Sequence, residues 1–303
     1  MATLYGQNLR ILVYDSTESK YQVVGMATNC TINLTANTEE SSTKDDQDRL
    51  TKPEVVSKSW TVQVESLDVS DINALYLNLR NGSAFTMVWD QTTPSLHNSN
   101  AVNAAFARKG NALLTDATFS FNDRENSTKS LTFTGQGPLE TLDAAVSCFY
   151  DYDISHTKGQ SVRLFVYGTE SGATQKVIAA AKTLQIHYSV QLENNSTKDT
   201  EGDWLVQEMT GYSYDITSQA LVRSNDTITS QVAAQDLASI EELYEAGQPV
   251  RWNIKNVSGD NNRTAEGTAI LFGKAVITSL SIQANNKAAA TYSTQLQGYS
   301  TQD

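Results

Sequence analysis

Histidine and cysteine, two residue types common in catalytic and metal sites, are few and scattered in this sequence. Histidine, the side chain best suited to proton transfer near neutral pH and to metal ligation, occurs only at His97, His156 and His187. Cys30 and Cys148 are the only cysteines, and no GxSxG, HExxH, GxxxxGKS/T or CxxC motif is present. The sequence therefore predicts no catalytic residue, no cofactor and no metal site.

A repeat within the chain provides a further test of such residues. Ala27–Leu67 aligns without a gap to Ala181–Leu221, 154 positions later, with ten identical pairs that include STKD at 42–45 and 196–199. No histidine or cysteine has a counterpart in the other copy, whereas a site used by both copies would be duplicated. Four carboxylate pairs do match: Glu39 with Glu193, Asp45 with Asp199, Glu54 with Glu208, and Asp71 with Asp236.

The matched carboxylates do not form a recognisable metal site. Their spacing lacks the DxDxDG pattern of a calcium-binding loop. Asp71 and Asp236 stand at the start of predicted helices, where the helix dipole alone favours a carboxylate. We therefore interpret the other pairs as members of solvated or subunit-facing loops.

The repeat extends over most of the chain and predicts a tandem duplication. A chain of 303 residues is long enough for two domains of about 150 residues, each with its own core. The predicted division is a first domain over 1–138, a linker over 139–158 and a second domain over 159–303. Three further matches support it: GQNLRILVY at 6–14 with GQSVRLFVY at 159–167, Gly82 with Gly247, and NALLTDATFSF at 111–121 with KAVITSLSIQA at 274–284.

The charge of the chain argues against a tight grip on nucleic acid. Asp and Glu number 34 against 22 Lys and Arg, a net charge of −12, and the basic residues form no cluster. Binding to phosphates depends on Lys and Arg displacing counterions. No window approaches the ~18 apolar residues of a membrane span, and Met1–Asn8 does not resemble a signal peptide, so we expect synthesis in the cytoplasm and no membrane partner.

Hydrophobic periodicity predicts that each copy is mainly β with one helix. Alternation such as Leu9, Ile11 and Val13 is typical of strands buried on one face, and each copy contains about six such segments. A β-sandwich or flattened barrel with one helix against its rim buries this pattern most simply. The helix positions are Ile72, Leu75, Tyr76 and Leu79 before Gly82, and Leu237, Ile240 and Tyr244 before Gly247.

Both copies also contain a polar stretch without alternation, at 37–57 and 191–211. Loops of about twenty residues are uncommon inside compact domains and are often functional. Because the STKD residues persist in both copies after extensive divergence, we predict that both stretches are functional loops. The stretch at 191–211 contains one large aromatic residue, Trp204. The first copy has Leu50 at the equivalent position.

The order of these segments resembles the major tail tube proteins of long-tailed bacteriophages. The resemblance rests on IAAAKTLQI at 178–186, STKDTEGDW at 196–204, a strand around Tyr214, a helix, and the closing GKAVITSLSIQANNKAAATYSTQLQG at 273–298. It covers both copies, and the second copy is the closer match. It implies two tandem copies of the phage tail tube fold in a structural virion protein rather than an enzyme.

The resemblance also implies an assembly. Tail tube domains form six-fold rings that stack into a channel for DNA, so three of these two-domain chains would form one ring with pseudo-six-fold symmetry. The expected partners are further copies of the chain, the tail tip or baseplate, the tape measure protein and the tail terminator, and DNA would pass without specific binding. Residues expected in the loops that join subunits or rings are Ser42, Thr43, Lys44, Asp45, Ser196, Thr197, Lys198, Asp199 and Trp204; Thr31, Asn33 and Thr35 are expected to face the channel.

Other functions stay open at this point. The first alternative is the inner tube of a contractile tail or injection machine, which shares the architecture but is surrounded by a sheath. A virion decoration, baseplate or distal tail protein is a second. A tandem β-sandwich that binds carbohydrate or acts as an adhesin is a third, although the polar loops carry few aromatic residues.

Overall fold

The computed structural model of the chain is mainly β, as the sequence predicts. It describes residues 6, 9–15, 20–24, 27–42, 52–67, 69, 71–91, 102, 107–142, 148–149, 157–169, 173, 175–178, 181–197, 203–222, 234–235, 237–257 and 268–300. Sixteen strands and two α-helices lie in these residues. No helix among them is both long enough and apolar enough to cross a membrane.

The elements follow the same order in the two copies, except for one two-residue strand that ends the first copy and another that precedes the helix of the second. The first contains β1 (Leu9–Asp15), β2 (Lys20–Val23), β3 (Ala27–Glu40), β4 (Pro53–Ser66), α1 (Ile72–Asn81), β5 (Ala84–Gln91), β6 (Arg108–Asn122), β7 (Thr128–Thr141) and β8 (Cys148–Phe149). The second contains β9 (Val162–Gly168), β10 (Lys176–Ile178), β11 (Ala181–Asn194), β12 (Gln207–Leu221), β13 (Ala234–Gln235), α2 (Leu237–Ala246), β14 (Val250–Asn256), β15 (Thr268–Gln283) and β16 (Thr291–Ser300). Within the predicted linker, β8 pairs with β2 of the first copy.

The pairing of β4 with β7 in the first copy repeats residue for residue in the pairing of β12 with β16 in the second. In the first copy β4 pairs Thr61 with Thr134, and in the second β12 pairs Asp215 with Gln297, the positions that the sequence alignment makes equivalent. Even the irregularities recur, since β6 breaks register between Leu114 and Asp116 and β15 between Ile277 and Ser279. In β6 the bulge lies where the strand changes partners, since it pairs with β5 up to Leu113 and with β11 from Asp116. A bulge bends a strand.

Aromatic side chains pack β4 against β5 in the first copy and β12 against β14 in the second. Trp60 of β4 contacts Trp89 of β5 edge to face, with ring centroids 5.7 Å apart, and Tyr214 of β12 contacts Trp252 of β14 in the same way at 5.6 Å. Each inner aromatic ring lies against a glycine on the neighbouring strand. A Cβ added to Gly135 would stand 2.1 Å from the Trp60 ring, so only glycine fits there. Trp60 is buried, as expected of a core residue.

The two helices end as the sequence predicts. Gly82 and Gly247 adopt left-handed conformations with φ of 59° and 60°, which glycine reaches without strain. Backbone N–H groups of Gly82 and Ser83 bond to carbonyls in the last turn of α1. Asp71 occupies the cap position of α1 without a side-chain cap hydrogen bond.

The predicted loops are shorter than the polar stretches in the sequence. Strands β3 and β4 continue to Glu40 and from Pro53, and β11 and β12 continue to Asn194 and from Gln207, so the loops themselves cover 41–52 and 195–206. Residues 33–40 of β3 are all exposed, because this end of the hairpin has neither face against the core. Residues 37–40 lack apolar alternation because neither face of this end of the strand is buried.

Candidate functional site

The two copies are joined by continuous β-pairing rather than by a flexible tether. Strand β11 of the second copy pairs antiparallel with β6 of the first, from Thr183 opposite Asn122 to Ser189 opposite Asp116. We call this pairing the chain joint. It produces one row of eight strands, the inner sheet, in the order β3, β4, β7, β6, β11, β12, β16 and β15.

One face of the inner sheet is polar and carries no positive side chain in its described part. Side chains alternate between the two faces of a strand, and directly opposed residues share a face. Positions on this face, taken at every second residue, are 29–35, 59–65, 116–122, 130–136, 183–189, 213–219, 279–283 and 293–297. Ser, Thr, Asn and Gln dominate at these described positions, and the titratable side chains among them are Glu65, Asp116, His187 and Asp215.

Three of those titratable residues meet at the chain joint. His187 of β11 lies between two carboxylates, with Nε2 2.7 Å from Asp116 of β6 and Nδ1 3.3 Å from Asp215 of β12. Burial lowers the pKa of His187, but the hydrogen bonds to Asp116 and Asp215 outweigh this effect and raise it overall. The carboxylates bind opposite nitrogens of the ring and do not converge on one point, and no metal-binding group is found among the described residues.

His187 has no counterpart in the first copy, where Asn33 occupies the equivalent position. The structure explains the difference, because the chain joint occurs once in the chain. Asn33 lies on strand β3, which pairs with β4 alone among the described residues, so no second described strand brings a carboxylate such as Asp116. A residue whose partners come from both copies has no reason to be duplicated.

Helix α1 covers the apolar side of the chain joint. Its Tyr76 ring lies 5.0 Å from the ring of Tyr188 on β11, which also contacts Phe119 of β6 at 6.4 Å. A Cβ placed on Gly82, just after α1, would lie 3.4 Å from Cβ of Met209 on β12. A helix of the first copy therefore packs on the sheet of the second, and Tyr188 is completely buried.

A loop of the second copy also reaches the first. Leu205 N–H donates to the carbonyl of Lys58 at 2.9 Å, and Gly137 N–H donates to the carbonyl of Leu205 at 3.1 Å. The backbone of Trp204 forms an isolated parallel β-bridge with Lys58. The Trp204 side chain is half-buried and packs against the core. The side chains of Lys58 and Asp203 form an exposed ion pair of 3.3 Å, which adds little stability.

Three of the predicted loop residues in addition to Trp204 lie in the described part of the chain. Ser42 accepts a hydrogen bond from Lys52 N–H at 2.9 Å, and Ser196 accepts one from Val206 N–H at the same distance, so both serines close the bases of their loops. Thr197 is exposed. Thr43, Lys44, Asp45, Lys198 and Asp199 lie outside the described residues. The structure places Thr31, Asn33 and Thr35 together on the polar face of β3.

No family model and no curated protein matches this chain. Among solved structures, it is similar to the tail of an empty GTA particle with C6 symmetry, at 16% identity, covering 48% of this chain and 96% of that chain, with a TM-score of 0.36. It is similar to the SPP1 tail tube at 16% identity, covering 46% of this chain and 74% of that chain, with a TM-score of 0.36. A chain of the native gene transfer agent virion matches at 13% identity, covering 48% of this chain and 95% of that chain, with a TM-score of 0.34.

Proposed function

We propose that this protein is a tail tube subunit, a structural rather than catalytic protein whose copies form stacked rings around a channel for DNA. The observation that carries the proposal is the chain joint. It pairs one strand edge of each copy and leaves one strand edge at each end of the inner sheet. The inner sheet still ends in β3 on one side and in the segment 278–283 of β15 on the other, and neither has a further strand partner among the described residues. Exposed edges of this kind recruit other strands.

The two free edges are equivalent to the two strands that the chain joint brings together. Strand β3 corresponds to β11, and β15 corresponds to β6. Repeating the chain joint between neighbouring chains would place Thr31 opposite Gln283, Asn33 opposite Ser281 and Thr35 opposite Ser279. Such a head-to-tail contact generates a ring when the rotation closes. With six domains in a ring, as in the family that the sequence resembles, three chains would suffice.

The polar face suits a channel wall. Without Lys or Arg at the alternate positions of the described inner sheet, the wall would hold no phosphate by counterion release. Glu65, Asp116 and Asp215 would repel the duplex weakly and let it pass. Thr31, Asn33 and Thr35 belong to this face, so they are the residues we assign to the channel in the first copy.

The loops over 41–52 and 195–206 are proposed to join subunits and rings. Leu205 and Trp204 already show how such a loop adds hydrogen bonds and apolar contact to a neighbouring domain. The loop of the first copy would make the equivalent contact with the next chain. Tail tip or baseplate, tape measure and terminator proteins are proposed as partners of the finished tube in the virion, and synthesis is proposed in the host cytoplasm.

Negative-stain electron microscopy of the purified chain tests the proposal. Hollow tubes of stacked rings are the expected result, with three chains per ring by native mass spectrometry of isolated rings. A chain that stays monomeric at high concentration would contradict the proposal, and affinity for a glycan array in that monomer would favour the adhesin. Rings of six chains would retain the tube and refute the trimer.

A further inference from the structure

Several apolar residues that are buried beside the chain joint have exposed equivalents on β3, α2 and β15. On β11 the side chains of Ile186 and Tyr188 are fully buried, whereas Leu34, the β3 equivalent of Tyr188, is 66% exposed. Helix α1 packs Tyr76 against Tyr188 of the second copy, and its Leu79 is buried. In α2, Tyr244 takes the place of Leu79 and is 45% exposed. Ile282, equivalent to Phe119, is 52% exposed.

The apolar side of β3 forms an open groove. Ile32 and Leu34 line it from β3, Trp89 from β5, Leu139 from β7, and Trp204 from the loop of the second copy. The groove holds about 760 Å³ and opens to solvent. In the second copy, the same side of β11 is covered by α1 across the chain joint.

We infer that helix α2 of a neighbouring copy of this chain covers the groove beside β3, in the way that α1 covers β11 within the chain. The inference rests on the proposed ring and specifies its joint. Ile282 of the neighbour would contact Leu34, as Phe119 contacts Tyr188. Tyr244 would lie on the same apolar surface, and Gly247 would meet Val55, the equivalent of Met209.

The substitutions between the two joints are compatible with this packing. Glu241 of α2 stands where Tyr76 stands in α1, so the ring contact of 5.0 Å between Tyr76 and Tyr188 is not repeated. Aliphatic Leu34 and Ile282 replace the aromatic pair Tyr188 and Phe119, and Tyr244 replaces the smaller Leu79. Val55 is exposed in the single chain, and a Cβ on Gly247 would meet nothing within 4 Å there, so both positions are open to a partner.

Paired cysteines test the contact. In the chain joint the Cβ positions of Gly82 and Met209 lie 3.4 Å apart, close to the range of about 3.5–4.5 Å found in disulfides. The chain with Val55→Cys and Gly247→Cys should therefore form a disulfide between chains on mild oxidation of assembled tubes. Non-reducing gels should show dimers and trimers and no larger species. The natural Cys30 resists reaction because burial raises its pKa to about 11, and the oxidised wild-type chain controls for it.

The matched control carries Gly82→Cys and Met209→Cys, which should form a disulfide within one chain and give no ladder. Both variants place a cysteine at a left-handed glycine, so the backbone strain is the same in each. Tubes of the Val55→Cys, Gly247→Cys chain that stay unlinked while the control becomes linked would overturn the helix placement and leave the tube proposal intact. Absence of tubes from the wild-type chain would overturn both.

A second variant covers the case in which the cysteines prevent assembly. Tyr244→Glu should leave the melting temperature of the monomer unchanged and raise the concentration needed for tube formation at least tenfold. Tubes forming at the wild-type concentration would overturn the inference. Leu79→Glu, at the equivalent buried position of α1, should instead unfold the monomer.

Discussion

Leu34→Ala tests the proposed joint between chains with a change of calculable size. Leu34 is 66% exposed in the single chain, and its equivalent Tyr188 is fully buried at the chain joint. Burying a complete leucine side chain contributes about 1.5–3 kcal/mol, so covering the exposed two-thirds contributes about 1–2 kcal/mol. A closed ring has as many joints as chains, and each chain would therefore lose about 1–2 kcal/mol of assembly free energy.

That loss corresponds to an increase of about 5- to 30-fold in the concentration above which tubes form, since 1.4 kcal/mol is tenfold. Pelleting of tubes across a concentration series measures this threshold. Thermal unfolding of the monomer is the control, and its free energy should change by less than about 0.5 kcal/mol because the side chain is exposed there. A threshold within twofold of wild type, with an unchanged monomer, would refute the assignment of Leu34 to the joint.

Three further predictions concern the single chain. Gly135→Ala should destabilise it by about 1–3 kcal/mol in chemical denaturation, since the new methyl group would lie 2.1 Å from the buried Trp60 ring. Arg10→Leu should cost about 3–5 kcal/mol in the same assay, because the buried Asp90 would lose an ion pair of 2.5 Å. His187→Asn should lower the melting temperature more at about pH 5.5 than at about pH 8.5. The folded-state pKa of His187 is raised, so its stabilising effect is complete below the unfolded pKa of about 6.5 and is lost as pH rises through the folded value.

Matched controls separate these effects from general disturbance. Gly6→Ala should be neutral, because nothing lies within 4 Å of its added Cβ. The double change Arg10→Leu with Asp90→Leu should recover most of the stability that Arg10→Leu loses, since no uncompensated charge remains buried. Equal destabilisation by His187→Asn at both pH values would show that its hydrogen bonds matter independently of its protonation.

The repeat could be predicted from the sequence to the level of strand register. The number of residues that separates matched positions in the sequence, such as Gly82 and Gly247, also relates the paired residues of equivalent strands. The bulges after Leu114 and Ile277 are related in the same way. This works because each core strand buries one face, so that alternation fixes both its position and its register. The division at 139–158 stays a prediction, and Cys148–Phe149 within it pair with the first copy.

Loop lengths and the chain joint could not be predicted in the same way. The hairpin ends of β3 and β4 have no buried face. Their polar residues therefore lack the alternation by which a strand is predicted, and the sequence indicates a loop instead. His187, Asp116 and Asp215 form a cluster only because β6 and β11 pair across the two copies. Residues that recur in both copies can be found from the repeat. Residues of a contact that forms once per chain have no counterpart and cannot be found in this way.

A reconstruction of the assembled tube by electron cryomicroscopy tests the central claim most directly. We expect rings with exact three-fold symmetry and six domains, in which β3 of each chain pairs with β15 of the next and Asn33 lies opposite Ser281. A ring in which β3 remains unpaired, or pairs with a strand other than β15, would contradict the account.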